Sequence, residues 1–107
     1  MALEITDSNF KQEIEEYKGV AMVDFWAAWC GPCQAAAPIV AELHEEVKEK
    51  AKVGKVNVDE NQEIASKYGV MSIPTFIFFK DGKEADRKVG LQSKEAMKET
   101  IETLLKG

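Results

Sequence analysis

Two cysteines separated by two residues are the first groups in this sequence that could carry chemistry. They stand in the segment Cys30-Gly31-Pro32-Cys33, and the chain of 107 residues contains no other cysteine. The segment follows an apolar run and precedes a long amphipathic stretch, which predicts a position between a strand and the start of a helix. The free N–H groups and the dipole at a helix N-terminus favour a thiolate, the form of cysteine that attacks disulfides. The placement therefore predicts thiol–disulfide exchange, with Cys30 as the outermost, attacking thiol and Cys33, one turn inside, as the resolving thiol.

Other interpretations of the cysteine pair remain to be weighed. The pair could be half of a zinc site or hold an iron–sulfur cluster, but a closed zinc site needs four ligands. The one histidine in the chain is His44, so such a site would need a second copy of the chain. A purely structural disulfide across so short a loop would stabilise little, because the gain grows with loop length. Redox exchange is therefore the favoured interpretation.

The composition limits the remaining function classes. Apolar residues make up 45% of the chain and charged residues 31%, which is typical of a globular protein, and the length predicts a single domain, residues 1–107. Asp and Glu number 19 against 14 Lys and Arg, so the net charge is −5, and no basic cluster is present. We therefore expect binding neither to nucleic acid nor to a membrane. The absence of a targeting signal and of a long apolar run predicts a cytoplasmic protein.

Strand and helix patterns alternate along the chain and predict an α/β fold. The predicted strands cover residues 2–5, 20–26, 53–58, 75–79 and 84–89, with a two-residue hairpin turn at Asp81-Gly82. The predicted helices begin at Thr6-Asp7-Ser8, at the cysteines, at Asp59 and at Ser93, and the last one places Met97, Ile101, Leu104 and Leu105 on one face. This order predicts a mixed central sheet of five strands with four helices distributed over both faces.

The segment 25–33 resembles the active-site segment of the thioredoxin family. Its sequence is FWAAWCGPC, and it is followed in the family's order by KVNVDEN at 55–61, by Ile73-Pro74-Thr75 and by Val89-Gly90. A CxxC pair alone is a weak signal, but tryptophans around it and an Ile-Pro-Thr some forty residues later make the combination specific. The resemblance covers essentially the whole chain, and it implies the thioredoxin fold and a general protein disulfide reductase.

The resemblance also implies roles for residues outside the cysteine pair. Asp24 matches a buried aspartate that relays a proton to or from Cys33, and burial would raise its pKa. Lys55, on the neighbouring strand, is expected to be the charge partner of Asp24. From the residues alone, Asp24 could also be a strand-edge carboxylate and Lys55 an exposed lysine.

A substrate-binding surface follows from the same resemblance. Pro74 is expected to be cis and to lie against the cysteines, so that the backbone of Ile73 can pair with an extended substrate segment. Trp29 is expected to face the surface beside Cys30, whereas Trp26 is expected to be structural. The whole expected surface consists of Trp29, Gly31, Pro32, Ile73, Pro74 and Gly90, with Leu91 on its rim.

The implied activity needs no bound cofactor beyond the redox-active disulfide Cys30–Cys33. Electrons would come from a thioredoxin reductase, either an NADPH-dependent flavoprotein or a ferredoxin-linked enzyme, and would pass to many disulfide-containing proteins. We expect the chain to act as a monomer. A disulfide oxidant or isomerase on the same fold is the alternative, against which the Gly-Pro between the cysteines argues, and a non-catalytic binding subunit is a further one.

The sequence departs from the family pattern directly after the second cysteine. Position 34 commonly carries Lys or Arg in the family and is Gln34 here, and the run Ala35–Ala37 is uniformly small. The cysteine pair is untouched, so the departures concern partner recognition and stability rather than the chemistry.

Overall fold

The computed structural model describes residues 2–107, and within them the strands form one mixed sheet of five strands. The strands are β1 (Leu3–Glu4), β2 (Val20–Trp26), β3 (Ala51–Asn57), β4 (Thr75–Lys80) and β5 (Lys83–Val89), in the spatial order β1-β3-β2-β4-β5. Strands β1 and β2 run parallel to β3, while β4 is antiparallel to β2 and to β5. The predicted mixed sheet is confirmed.

The helices follow the predicted order, although the first takes an unusual form. They are α1 (Gly31–Val47), α2 (Gln62–Lys67) and α3 (Lys94–Lys106), and a five-residue π-helical turn, Lys11–Glu15, stands where the first helix was expected. Phe10, Ile14 and Tyr17 have the i, i+4, i+7 spacing that predicts a helix here; Ile14 in the turn and Phe10 directly before it are buried, and Tyr17 is half-buried. Within residues 2–107, no helix is both long enough and apolar enough to cross a bilayer.

Each face of the sheet is covered by its own pair of helical elements. Helices α1 and α3 pack on one face, where the core comprises Val20, Met22, Ala36, Val40, Leu43, Val47, Ala51, Val53, Phe76, Phe78, Met97 and Ile101. The π-helical turn and α2 cover the other face, with a core of Ile5, Phe10, Ile14, Ala21, Val23, Phe25, Val56, Ile64, Ile77 and Phe79. Side chains alternate between the faces along β2, so Asp24 is on the α1 side together with Met22.

A hairpin turn and a helix cap form where the sequence predicts them. Asp81 and Gly82, with φ of 50° and 86°, both adopt the left-handed conformation that a two-residue hairpin between twisted strands requires. The Ser93 hydroxyl oxygen accepts a hydrogen bond from the backbone N–H of Ala96 at 3.1 Å and so caps α3.

Two predictions about helix ends are wrong. Leu105 is 36% exposed and does not join the core, because it lies about 80° around the helix from Met97, at the margin of the buried stripe. Asp59 does not cap α2. The carboxylate of Asp7, far earlier in the chain, accepts the backbone N–H of Ile64 at 3.0 Å, since packing brings the two segments together.

Candidate active site

The cysteine pair is positioned by the junction between β2 and α1. Strand β2 ends at Trp26, a short loop follows, and Cys30 is the N-cap residue of α1. Pro32 occupies the first turn, where a missing N–H leaves no helical hydrogen bond unmade. Cys30 and Cys33 are joined by a disulfide with their Cα atoms 5.2 Å apart. The backbone N–H of Cys33 points at the Cys30 sulfur, with a nitrogen–sulfur distance of 3.2 Å.

Burial does not distinguish the two cysteines, since Cys30 is 5% exposed and Cys33 is 4% exposed. The difference between them is electrostatic. The Cys30 sulfur is at the positive end of α1 and receives a backbone N–H, and both features stabilise a thiolate. The expected division of roles therefore rests on the helix terminus rather than on a more exposed position of Cys30.

The segment before β4 lies against the cysteine pair. The peptide bond between Ile73 and Pro74 is cis, and the carbonyl oxygen of Ile73 lies 3.9 Å from the Cys30 sulfur. The carbonyl oxygen of Pro74 accepts the backbone N–H of Gly90 at 2.8 Å. The structure thus brings Ile73, Pro74 and Gly90, which are distant in sequence, to the same edge of the molecule as the disulfide.

Asp24 is buried on β2, on the side of the sheet that α1 covers, and is 1% exposed. Its Oδ1 atom has no hydrogen-bond partner among residues 2–107. Burial raises the pKa of this carboxyl from 3.8 to about 7, and the positive charge of Lys55 opposes part of that rise. A carboxyl with such a pKa can take up or release a proton near neutral pH.

Lys55 interacts with Asp24 through charge and strand register. The two residues are paired directly across β2 and β3. The ammonium of Lys55 lies 4.7 Å from the ring centroid of Trp26, a cation–π contact that places it beside this aromatic side chain. Lys55 is half-buried, so the interpretation of a merely exposed lysine does not fit.

Trp29 faces the surface, 71% exposed, and its orientation is fixed by a residue that sequence reasoning missed. The indole Nε1 donates a hydrogen bond to the Asp59 carboxylate at 2.9 Å. Asp59 belongs to the block 55–61 that carries the family resemblance, and that resemblance is the sequence signal that could have identified Asp59 as a site residue. Sequence reasoning instead assigned Asp59 to a helix cap.

A groove of about 330 Å³ opens beside the disulfide. It is lined by Trp29, Val58, Val70, Met71, Ser72 and Ile73. Met71 in this lining is 96% exposed, and Leu91, expected on the rim of the substrate-binding surface, is 51% exposed. Gly31 and Pro32 are exposed as well, so the expected substrate-binding residues that flank Cys30 are open to solvent.

The residues that depart from the family pattern lie partly at the surface and partly in the core. The Gln34 side-chain amide donates to the carbonyl of Ala28 at 2.8 Å and ties the first turn of α1 to the loop before Cys30. Ala36 is completely buried in the core under α1, whereas Ala35 is exposed. Within the described residues, no group of three or more His, Cys, Asp or Glu side chains is arranged to hold a metal ion.

Comparison with known proteins agrees with this geometry. The sequence matches the sequence model of the Thioredoxin family over residues 1–103. The chain belongs to the thioredoxin family. It is 50% identical over 101 residues to a thioredoxin of Rickettsia felis, covering 94% of this chain and 96% of that relative. It is 51% identical over 96 residues to a thioredoxin of Bacillus subtilis, covering 90% of each. A third relative, thioredoxin 1 of a Nostoc species, is 48% identical over 101 residues, and the match covers 94% of each chain.

Membership of the thioredoxin family determines the reaction class. Thioredoxins are protein disulfide oxidoreductases that work through a redox-active disulfide and need no cofactor, and here Cys30 and Cys33 occupy that position. The chain is therefore a general protein disulfide reductase. The family accepts electrons from thioredoxin reductase and passes them to disulfide substrates.

Proposed function

We propose that Cys30 is the nucleophile of this reductase and Cys33 its resolving thiol. The Cys30 thiolate attacks one sulfur of a substrate disulfide, and the other substrate sulfur leaves as a thiolate. Cys33 then loses its proton and attacks Cys30 in the mixed disulfide, which releases the second substrate sulfur. The substrate gains two electrons and becomes a dithiol, while Cys30–Cys33 becomes a disulfide. The observation that carries this assignment is the Cys33 N–H directed at the Cys30 sulfur.

Asp24 is proposed as the proton relay for Cys33. Resolution requires the Cys33 thiol to lose a proton, and a general base works best when its pKa is near the working pH. The burial that raises the pKa of Asp24 to about 7 meets that condition. The Lys55 charge keeps the pKa from rising further, so Lys55 is a positioning residue for the relay.

Substrate is proposed to dock across the groove beside the disulfide. An extended substrate segment would pair with the backbone of Ile73, next to Cys30, as an added strand. Around this backbone, Trp29, Gly31, Pro32, Pro74 and Gly90 would provide a mainly apolar surface without a demand for one particular side chain. Such a surface suits a reductase that acts on many partners.

We also propose an electron donor, a cellular compartment and an oligomeric state for this protein. A disulfide reductase needs a steady electron supply, so we assign it a thioredoxin reductase, NADPH-dependent or ferredoxin-linked, and the reducing cytoplasm. The protein is proposed to act as a monomer of one domain, residues 1–107. The radius of gyration of 12.3 Å supports the single domain, because about 13 Å is typical of a domain of ~100 residues.

Substitution of each cysteine tests the division of roles. In an insulin-reduction assay with dithiothreitol, both Cys30→Ser and Cys33→Ser should lose turnover. Cys33→Ser should accumulate mixed disulfides with substrate, because attack survives and resolution is lost, whereas Cys30→Ser, its matched control, should accumulate none. Trapping by Cys30→Ser instead would reverse the assignment. A redox titration separates reductant from oxidant, since a potential near that of strong oxidants would contradict the reductase.

A further inference from the structure

Met71 differs from the other methionines that the structure describes. It is 96% exposed, whereas Met22 and Met97 are completely buried in the core. Met71 also lines the groove beside the disulfide, together with Trp29 and Ile73. Ile73, which lines the same groove, has its carbonyl oxygen 3.9 Å from the Cys30 sulfur, so the groove that Met71 lines extends to the residue that contacts the reacting atoms.

An exposed thioether in such a place has a definite chemistry. A peroxide oxidises methionine to the sulfoxide: the sulfur gains one oxygen, the O–O bond breaks, and the peroxide is reduced to water or an alcohol. The product is polar where the thioether was apolar and flexible. In this groove the change would put a strong hydrogen-bond acceptor into a wall otherwise formed mostly by apolar side chains.

We propose that Met71 is a site of reversible oxidation by peroxides, and that its sulfoxide weakens the docking of protein substrates beside Cys30. The effect on docking rests on the proposed use of the groove by substrate, while the selectivity of oxidation rests on exposure alone. Reversal needs a methionine sulfoxide reductase, which returns the sulfoxide to the thioether as two thiols become a disulfide and water is released.

Peptide mapping tests the modification itself. The protein is kept in its disulfide form, so that Cys30 and Cys33 have no free thiol, and is treated with millimolar hydrogen peroxide. Mass spectrometry at successive times should find the sulfoxide at Met71 well before it is found at Met22 or Met97. Oxidation of the three methionines at similar rates would overturn the proposal.

Activity before and after treatment tests the consequence. After removal of peroxide, kcat/KM for insulin reduction should be about tenfold lower than in untreated protein, the lower end of the effect of one apolar group in a hydrophobic pocket. In Met71→Leu the ratio of treated to untreated activity should stay near one, since leucine cannot be oxidised in this way. Met97→Leu, which keeps Met71, should lose activity on treatment as the native protein does.

The outcomes separate this proposal from the proposed function. An equal loss in treated Met71→Leu would assign the effect to another residue, and full activity of a protein oxidised at Met71 would remove the effect on docking. Recovery of activity with methionine sulfoxide reductases of both stereospecificities and dithiothreitol is expected, and failure to recover would contradict reversibility. If the untreated protein did not reduce insulin, the proposed function would fail, while the peptide map would still decide the modification.

Discussion

Two polar side chains buried near the active site, Asp24 and Asn61, have opposite surroundings. Asn61 is 6% exposed, and both polar atoms of its side chain are hydrogen-bonded. Its Oδ1 accepts the backbone N–H of Asp7 at 2.9 Å, and its Nδ2 donates to the carbonyl of Asn57 at 3.1 Å. Asp24 is 1% exposed, and its Oδ1 has no partner within residues 2–107. A buried polar group without a partner costs stability, so Asn61 stabilises the fold whereas Asp24 destabilises it.

The hydrogen bonds around Asn61 also support the candidate active site. Asp7 both donates its N–H to Asn61 and accepts from the N–H of Ile64, which joins the loop after β1 to the start of α2. Asn61 and Asp59 both lie in the segment between β3 and α2, and the Asp59 carboxylate accepts a hydrogen bond from the Trp29 indole. Asn61 therefore contributes to the position of the proposed docking surface, whereas Asp24 is proposed to act on the chemistry beneath it.

Replacement of Asp24 by Asn should have the largest effect on stability and is the strongest test of this contrast. The folded pKa is about 7 against 3.8 unfolded, so the native protein holds a proton that the unfolded chain has released. Native stability should fall as pH rises from about 4 to about 7 and level off above, by up to about 4 kcal/mol. At about pH 8, Asp24→Asn should thus be more stable than the native protein, and it should exchange disulfides more slowly.

Urea denaturation at a series of pH values measures this difference, and insulin reduction measures the exchange. The stability difference between Asp24→Asn and the native protein should shrink toward acid pH, because the native carboxyl is then protonated in both states. A variant that is less stable at neutral pH with unchanged turnover would make Asp24 a structural residue instead.

Replacement of Asn61 by Ala should have the opposite sign and a smaller size. It removes two hydrogen bonds and leaves the backbone groups of Asp7 and Asn57 unpaired, a loss of about 2 kcal/mol in the free energy of unfolding. The pH dependence of stability should stay that of the native protein, because the pKa of Asp24 is untouched. Asn61→Asp keeps the acceptor for Asp7 but turns a carboxylate oxygen toward the carbonyl of Asn57, so at neutral pH it should lose at least as much as Asn61→Ala. An Asn61→Ala variant as stable as the native protein in urea denaturation would contradict the role of these hydrogen bonds.

Replacement of Asp7 by Ala should cost about 1 kcal/mol, as is typical for loss of a side chain that caps a helix. The backbone N–H of Ile64 would lose its acceptor at the start of α2. Thermal or urea unfolding measures the loss. Asp7→Asn retains a side-chain oxygen and should recover most of it, and the cap would be refuted by an Asn variant no better than Ala.

Replacement of Lys55 by Gln should have the smallest effect, and that effect concerns the titration of Asp24. The ammonium lowers the pKa of Asp24, so its loss should move that pKa upward. The pH profile of disulfide exchange should shift to more alkaline values in the same direction. Lys52→Gln is the matched control on β3, since the Lys52 ammonium pairs with Glu13 at 2.9 Å; a shift of equal size in this control would remove the specific role of Lys55.

Much of the fold was predictable because its signals are contiguous. The hairpin at Asp81-Gly82, the Ser93 cap and the apolar stripe of α1 each depend on residues within a few positions of one another, so local propensity and periodicity decide them. The stripe consists of Ala36, Val40, Leu43 and Val47. The order of strands and helices follows from these local patterns. The cysteine pair belongs to the same class, since the spacing of its cysteines at a helix start and the tryptophans around them favour redox exchange.

The partners of isolated polar groups could not be predicted in this way. The sequence indicated that Asp59 would accept a hydrogen bond, but the donor is the Trp29 indole, 30 positions away, and Asp7 caps a helix 57 positions away. A local pattern identifies an acceptor, whereas the donor it meets depends on how distant segments pack. The first predicted helix shows a related limit, because Phe10 and Ile14 are buried as expected, but the segment forms a π-helical turn that their spacing did not indicate.

The sequence by itself determined the reaction, the family and the order of the elements, because these depend on residue types at fixed short spacings. Only the tertiary structure decided that Asp24 Oδ1 lacks a partner among residues 2–107 and that the two cysteines are equally buried. It also decided that Met71 stands open to solvent at the groove. Burial and hydrogen bonding are properties of the packed chain, and they vary with the distance between segments in space rather than along the sequence.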